Sequence, residues 1–471
     1  LADCKARLIK AESLITSLSK EKTRWKALSE QLTVDLVNLT GDILISAGLI
    51  AYLGAFNSLY RDEILAIWVK LSTERNIPNS GKFSLIATLG DPVEIRQWNL
   101  WALPSDDFSI DNAIITKTAR RWPLFIDPQG QANKWIRNLG KDEKLQVLKF
   151  SDGKYLKHLE GAIRNGSPIM IENVGEELDP AIEPLLQKQI VKRGASYNIK
   201  IGDAVIEYDM KFRFYLTTKL RNPHYLPEVS TKVTILNFMI TFEGLADQLL
   251  GITVEKENPD LQQKKEQLVI DAANNKKKLA EIEESILKTL QETEDILGDE
   301  AGILVLSNAS VVSIEINKQQ EIAAKTEIEI DEARIGYQPI AMTVSGLFFC
   351  IQELAFIDPM YQYSMGFFVA LYRVAIDEAK PSDELEERLE FLRVEFLASL
   401  YRNICRSLFE KDKPIFSMLL TFKLLDMKGE LNGTDLRFLL TGGVSAGGDQ
   451  EPCPAPWMSE QAWNEMDRAC A

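Results

Sequence analysis

The first residues set apolar side chains three and four apart: Leu1, Cys4, Leu8, Ala11, Ile15 and Leu18, then Trp25 and Leu32. That spacing predicts a heptad seam on an otherwise charged helix, interrupted at Lys22. An ordinary amphipathic helix is the plainer alternative. Thr40-Gly41-Asp42 breaks the pattern, and residues 43–68 then predict buried helix, apolar on most faces. Between residues 80 and 250 short apolar runs alternate with helical stretches. Residues 123–127, 145–150, 168–172, 212–218 and 231–238 are five candidate strands. Buried strands separated by helices predict a parallel sheet covered on both faces. Residues 197–209 predict a hairpin turning at Gly202-Asp203.

From 256 to 335 the pattern becomes two long polar helices. One carries Leu261, Leu268, Ala272, Asn275, Leu279, Ile282 and Ile286 along a stripe. The other carries Val305, Ala309, Val312, Ile316, Gln319, Ala323, Thr326 and Ile330, with Gly298 and Gly302 between the two. Two seams joined by a short break predict an antiparallel helical hairpin, and amides at Asn275 and Gln319 within the seams can fix its register. Two amphipathic helices packed on the globular part are the alternative. Residues 336–440 are helical and apolar again, with a helix start at Pro381-Ser382-Asp383 and a stop at Gly442-Gly443. The tail to residue 471 predicts a linker before a short helix.

Composition narrows the functions. Of 471 residues, 45% are hydrophobic and 26% charged, with a net charge of −15. That balance argues against nucleic acid as a partner, because phosphate affinity needs clustered cations. No apolar run is read as reaching the roughly 18 residues of a membrane span, and no basic-then-apolar leader opens the chain. Cys4, Cys350, Cys405, Cys453 and Cys470 have no metal or disulfide spacing, which points to a reducing compartment, and His158 and His224 are too few for a histidine metal site. The chain begins inside a helical pattern without Met and reads as a piece of something longer.

Asp127-Pro128-Gln129-Gly130-Gln131-Ala132-Asn133-Lys134-Trp135 follows the first strand. A phosphate loop needs glycines so that backbone N–H groups can wrap phosphate, a Lys, and a Ser or Thr for Mg²⁺. Aligned on Lys134, the glycines are Pro128 and Asn133 and the hydroxyl is Trp135. Gly130 lies inside the loop, and the Lys alone survives. Trp135 is expected to bury and to fill space where a nucleotide would require Mg²⁺. The strand that would end in Asp-Glu ends in Glu172-Asn173, and Asn173 cannot accept a proton as a carboxylate does. These losses predict no catalytic residue, no bound cofactor and no metal in this module. For an arginine lent to a neighbouring module, the helix after Leu226-Pro227-Glu228 is the expected place; the aligned position is Ile235, with Lys232 and Arg221 as the nearby cations.

The runs RWPLFIDPQGQANKW at 121–135, IENVGEELDP at 171–180 and FRFYLTTKLRNPHYLP at 212–227 resemble the fifth AAA+ module of dynein heavy chains. MYQY at 360–363 and RSLFEKD at 406–412 resemble its small subdomain. The resemblance implies an α/β plus α-helical fold: an AAA+ large subdomain with a five-stranded parallel sheet, a helical small subdomain and an antiparallel coiled-coil insertion. It implies that residues 1–35 are the returning helix of the microtubule-binding stalk, 36–75 complete the fourth module and 76–250 form the fifth large subdomain. Residues 256–335 would then be the buttress (or strut), 336–445 the small subdomain, and 446–471 the linker toward the sixth module. The parent chain it implies is an ATP-driven, minus-end-directed microtubule motor, with ATP and Mg²⁺ in other modules. Its partners would be the neighbouring modules and stalk, microtubules, and intermediate and light chains through the tail. Neither nucleic acid nor membrane is implied. The matched runs are closer in wording to axonemal members, which implies a cilium or flagellum axoneme; cytoplasm is the alternative. A non-hydrolysing structural relay is the function favoured, against a regulatory module that retains ATP or ADP without turnover. A plain coiled-coil scaffold is disfavoured by the five-strand pattern.

Overall fold

A computed structural model describes residues 2–194, 196–202, 204–260, 334–382 and 384–441, with isolated positions in 264–288, 312–332 and 455–466; over 2–24 it describes the backbone alone. The chain divides into two compact units, Leu1–Gln338 and Pro339–Ala471.

In the first unit helix α1 (Ala2–Gly48) runs into a π-helical stretch, Leu49–Leu53, and α2 (Ser58–Glu74) follows. The interruption expected at Thr40-Gly41-Asp42 is absent. Gly41 serves close approach instead: a Cβ there would lie 2.2 Å from the Pro78 carbonyl oxygen. Asp42 holds the same loop by accepting the Ser80 backbone N–H at 3.1 Å. The break falls at residues 54–57, where the Asn57 side chain caps α2. Nor are residues 43–68 buried on most faces. Ile45, Leu49 and Leu53 are buried, while Leu44, Tyr52 and Leu59 are exposed, because these helices meet the unit along one stripe.

The expectation that no apolar run is long enough to cross a membrane also needs correcting. Trp25–Leu53 and Gln338–Phe356 reach that length and hydropathy. Each contributes residues to a protein core, Leu49 and Leu53 from one and Val344, Leu347 and Phe348 from the other.

Short helices α3 (Leu85–Leu89) and α4 (Pro92–Leu100) and helix α5 (Asp107–Thr118) lead into the sheet. Its strands are β1 (Trp122–Ile126), β2 (Gln146–Lys149), β3 (Ile169–Glu172), and, after an insertion, β7 (Phe214–Thr218) and β8 (Val233–Asn237). The insertion is a second sheet of β4 (Val191–Arg193), β5 (Ser196–Ile201) and β6 (Ala204–Glu207). It contains the expected hairpin plus one strand the pattern did not reveal. Gly202 takes the turn at φ 57°, and position 203 lies outside the described residues. The main sheet has the order β2-β3-β7-β1-β8 and is parallel throughout. Side chains alternate across it with period two. Trp122 and Leu124 enter one core, and Phe125 enters the other. The covering helices are α6 (Gln131–Leu139), α7 (Tyr155–Asn165), α8 (Glu183–Leu186), α9 (Pro227–Ser230) and α10 (Phe242–Glu257).

A buried arginine ties the N-terminal helices to this sheet. Arg61 on α2 donates through Nε to the Leu53 carbonyl at 3.0 Å, and through Nη2 to the Gly54 carbonyl at 2.8 Å and Asn112 Oδ1 at 2.7 Å. Asn112 in turn donates to the carbonyl of Asn237, the last residue of β8, at 2.8 Å. The Asn237 N–H closes the circuit on the Gly54 carbonyl at 2.9 Å. Gly54 is required because a Cβ would come 2.5 Å from the Ile235 carbonyl oxygen. Burial lowers the Arg61 pKa to about 10, against the pull of Asp111 and Asp62.

Of the predicted helical hairpin, several seam positions are described. Ile316 and Ile330 are buried, and Leu268, Asn275, Ile282, Ala323 and Thr326 are half-buried, while flanking Lys264, Lys278, Glu284 and Lys325 are exposed. Val312 and Gln319 are exposed despite their seam positions. Asn275 Nδ2 donates to Gln319 Oε1 at 3.4 Å, so the two seam amides meet. Leu261, Ala272, Leu279, Ile286, Gly298, Gly302, Val305 and Ala309 lie outside the described residues.

The second unit is helical: Gln338–Glu353, Met365–Glu378, Leu385–Ser407, Lys413–Lys428 and Gly433–Thr441. Phe348, Phe368, Tyr372 and Phe396 form an aromatic chain through its core, with edge-on ring pairs 5.1–5.4 Å apart. Tyr361 donates to Asp412 at 2.7 Å and accepts the Phe409 N–H, joining the 360–363 and 406–412 runs. The helix start expected at Pro381-Ser382-Asp383 is found at Leu385. The Gly442-Gly443 stop and most of the tail lie outside the described residues.

Arg61→Met should lower the unfolding free energy by roughly 3–5 kcal/mol, because it strands two carbonyls and an amide in the interior. Arg61→Lys should cost nearly as much, since an ammonium cannot reproduce the fork. Urea titration followed by tryptophan fluorescence measures both; a loss no greater than that of exposed Arg75→Met would count against the latch.

Candidate functional site

The loop after β1 lies at the carboxyl end of a central strand, where open α/β sheets present ligands to a helix N-terminus. Gly130 turns it with φ 80°, and α6 begins at the next residue. The backbone N–H groups at this terminus do not face an empty cradle. Asp127 folds its own carboxylate onto them, accepting the Gln131 N–H at 2.7 Å and the Asn133 N–H at 2.9 Å. The Asp127 N–H is itself held by the Thr218 carbonyl on neighbouring β7 at 2.9 Å. Burial pushes the Asp127 carboxyl up to about 6, against the backbone N–H groups of residues 130–133, which favour the ionised form. At pH 7 the loop therefore carries a mostly ionised internal carboxylate where an outside phosphate would need those donors.

The two motifs are also joined side to side. Asn133 Nδ2 donates to Glu172 Oε1 at 2.6 Å, and Arg137, one turn further along α6, donates to Asn133 Oδ1 at 2.6 Å. Arg137 forms an ion pair with the same Glu172 oxygen. Glu172 is thus engaged twice. Asn173 is exposed and left-handed at φ 54°, a conformation Asn tolerates better than most residues. Lys134 is exposed on α6, and Pro128 is half-buried in the loop.

Trp135 is 1% exposed. Its ring stacks on Phe238 at 5.9 Å and meets Trp98 edge-on at 6.1 Å, so it belongs to the core beneath the sheet. The side chain that takes up the loop donors is Asp127, not Trp135. Sequence reasoning weighed the missing glycines and overlooked this aspartate; the available signal was an acid four residues before the first residue of α6.

One face of the loop is covered by α10. Gln131 and Gln248 exchange amide hydrogen bonds at 3.3 Å. The adjacent Asp247 pairs with Arg334, 7% exposed at the returning end of the hairpin, at 3.6 Å. Of the arginine-finger candidates, Ile235 lies on β8, because α9 ends at Ser230 and never reaches it. Lys232 pairs with Glu183 at 2.5 Å, and Arg221 is exposed in the turn after β7. No group of three His, Cys, Asp or Glu among the described residues is arranged to hold a metal.

Residues 96–316 match the family of the ATP-binding dynein motor region, and residues 1–71 match the microtubule-binding stalk of the dynein motor. Over 465 residues the chain is 50% identical to dynein axonemal heavy chain 3 of Mus musculus. Identity is 49% over 470 residues to that of Homo sapiens, and 44% over 464 to human dynein axonemal heavy chain 1. The chain belongs to the dynein heavy chain family. The three alignments take in 98–99% of this chain but 11% of each relative, so it spans about a tenth of a dynein heavy chain. The stalk match covers α1, the π-helical stretch and most of α2; the motor-region match covers the whole parallel sheet and the loop at Asp127.

Because burial raises the Asp127 pKa above its unfolded value of about 3.8, its contribution to stability is fully present below that value and lost as pH rises through about 6. Wild type should therefore gain on Asp127→Asn as pH falls from 7 to 4, by roughly 2–3 kcal/mol in total. Paired denaturation curves across that range measure it; parallel curves would show that Asp127 is not the buried acid of this loop.

Proposed function

We propose that this chain is a relay segment of an axonemal dynein heavy chain, a ring module that does not hydrolyse ATP and that couples ring movement to the stalk. The whole heavy chain would be the ATP-driven, minus-end-directed microtubule motor of the cilium, with ATP and Mg²⁺ bound in other modules. The observation that carries the relay reading is α10. Its neighbouring residues Gln248 and Asp247 grip the loop on one side and the hairpin on the other, so displacement of either is felt by both. Against turnover stand the tethered carboxylate on the loop donors and the double engagement of Glu172. Nucleotide retained without turnover is the second reading, favoured by the N–H groups that still converge at the start of α6.

In the intact heavy chain, Arg334→Ala should leave ATP binding in place and weaken microtubule stimulation of the ATPase. Ile316→Ala, at ~2–5 kcal/mol for a buried Ile truncation, combined with Ile282→Ala at a half-buried position of the facing helix, should do the same by softening the seam. Substitution of exposed Lys278 is the control. Unchanged stimulation in variants whose hairpin is demonstrably loosened would refute the relay. The 471-residue chain alone should release no phosphate from ATP above a protein-free blank. Turnover abolished by Lys134→Ala would overturn the non-hydrolysing reading.

A further inference from the structure

The Arg61 latch forms one wall of a cavity of about 630 Å³ between α2, the start of α5 and the start of α10. Five carboxylates line it: Asp62 from α2, Asp106, Asp107 and Asp111 at α5, and Glu243 from α10. Arg61 is the one cation among the lining residues, and its guanidinium donates to Leu53, Gly54 and Asn112 rather than to a carboxylate.

Helix N-termini favour acids, which accounts for three of the five. Asp106 caps α5 by accepting the Ser109 N–H and is reached by the Thr241 hydroxyl at 3.4 Å. Asp107 opens the same helix, and Glu243 lies in the first turn of α10. Asp111 has no such role. It lies a full turn further along α5, past the reach of the helix dipole. It also stands four residues from Asp107, a spacing at which like charges repel. Asp62, Asp107 and Glu243 are exposed at the rim, whereas Asp111 is half-buried and makes no hydrogen bond among the described residues. The five acids are spread over three helices, and no three of them are arranged to hold a metal. Crowded charge of this kind is relieved by a proton. Burial pushes the Asp111 carboxyl up to about 7; Arg61 pulls it down, and Asp107, Asp62 and Asp106 push it further up.

We propose that this cleft is a proton-operated joint: a proton taken up at Asp111 seats α2 firmly against α5, and its release loosens the N-terminal helices from the sheet. A carboxyl whose pKa rises on folding stabilises fully below its unfolded value of about 3.8, and that stabilisation is lost as pH rises through about 7. The joint is therefore tight in mildly acidic solution and loose in mildly alkaline solution. It would act whether or not the module relays ring movement, because it involves only the seat of α1 and α2.

Hydrogen exchange of the full 471-residue chain, followed by mass spectrometry from pH 5.5 to 8.5 and corrected for intrinsic amide rates, tests this. Between pH 6 and pH 8 the protection of residues 58–74 should fall severalfold, by roughly tenfold at most, while β3 keeps its own. Asp111→Asn should hold the high protection at both pH values. Asp107→Asn, at an exposed position, should keep the fall but move its midpoint to lower pH. Asp127→Asn should leave the fall unchanged, which separates the joint from the carboxyl of the loop. Constant protection of residues 58–74 in wild type, or the same fall in Asp111→Asn, overturns the proposal. If Asp111→Asn does not fold, an unmoved midpoint in Asp107→Asn overturns it instead.

Discussion

Arg61 spends its fork on two carbonyls left open where the π-helical stretch ends and on the amide of Asn112, which reaches the last residue of β8. Helix ends leave carbonyls without intrahelical partners, and burying such an end demands another donor. Arg61 supplies it, and in doing so fixes where the long N-terminal helix meets the sheet. Its third nitrogen, Nη1, has no partner, and Phe108 covers the guanidinium at 4.3 Å. The sheet and the loop are placed relative to this contact, since β8 pairs with β1 along its whole length and β1 carries the loop.

The loop follows from a second constraint, the need of a helix N-terminus for an anion. A phosphate group is one such anion. Here the chain brings its own, tethered four residues from the first N–H it accepts. A tethered group competes at an effective concentration of millimolar or above without any binding step, so a free phosphate must displace it rather than fill a vacancy. The Asn133–Glu172–Arg137 network ties α6 to the end of β3 beside the loop.

The sheet was legible because its strands are short apolar runs bounded by polar residues, and each fell within two residues of its expected place. The fold class followed from their alternation with helices. Other errors have a common physical origin. Gly41 looked like a helix stop, but its role is set by Pro78, and no local pattern announces a close approach. Ile235 was aligned to a helix position although it lies inside the 231–238 run that the apolar pattern marks as a strand, and the strand reading is the one that holds. Val191–Arg193 carries too few apolar residues to stand out as a strand and exists because β5 pairs with it. Trp135 is buried as expected, and only its neighbours could not be named in advance, because Trp98 and Phe238 are each more than thirty residues away in sequence. Asp127 belonged to a motif judged by its glycines, and its function is visible only once the N–H groups of α6 turn toward it.

The continuity of α1 through Gly41 has a mechanical side. A helix of 47 residues without interruption is about 70 Å long. Anchored at one end by the latch, it behaves as a lever. A tilt of roughly 5° at the anchored end would carry the far end through about 6 Å, more than the 5.4 Å pitch of an α-helical turn. Motions too small to disturb the packing of the sheet are thereby magnified into displacements large enough to change which side chains face each other at a distance. A kink at residues 40–42 would have absorbed that tilt near its source.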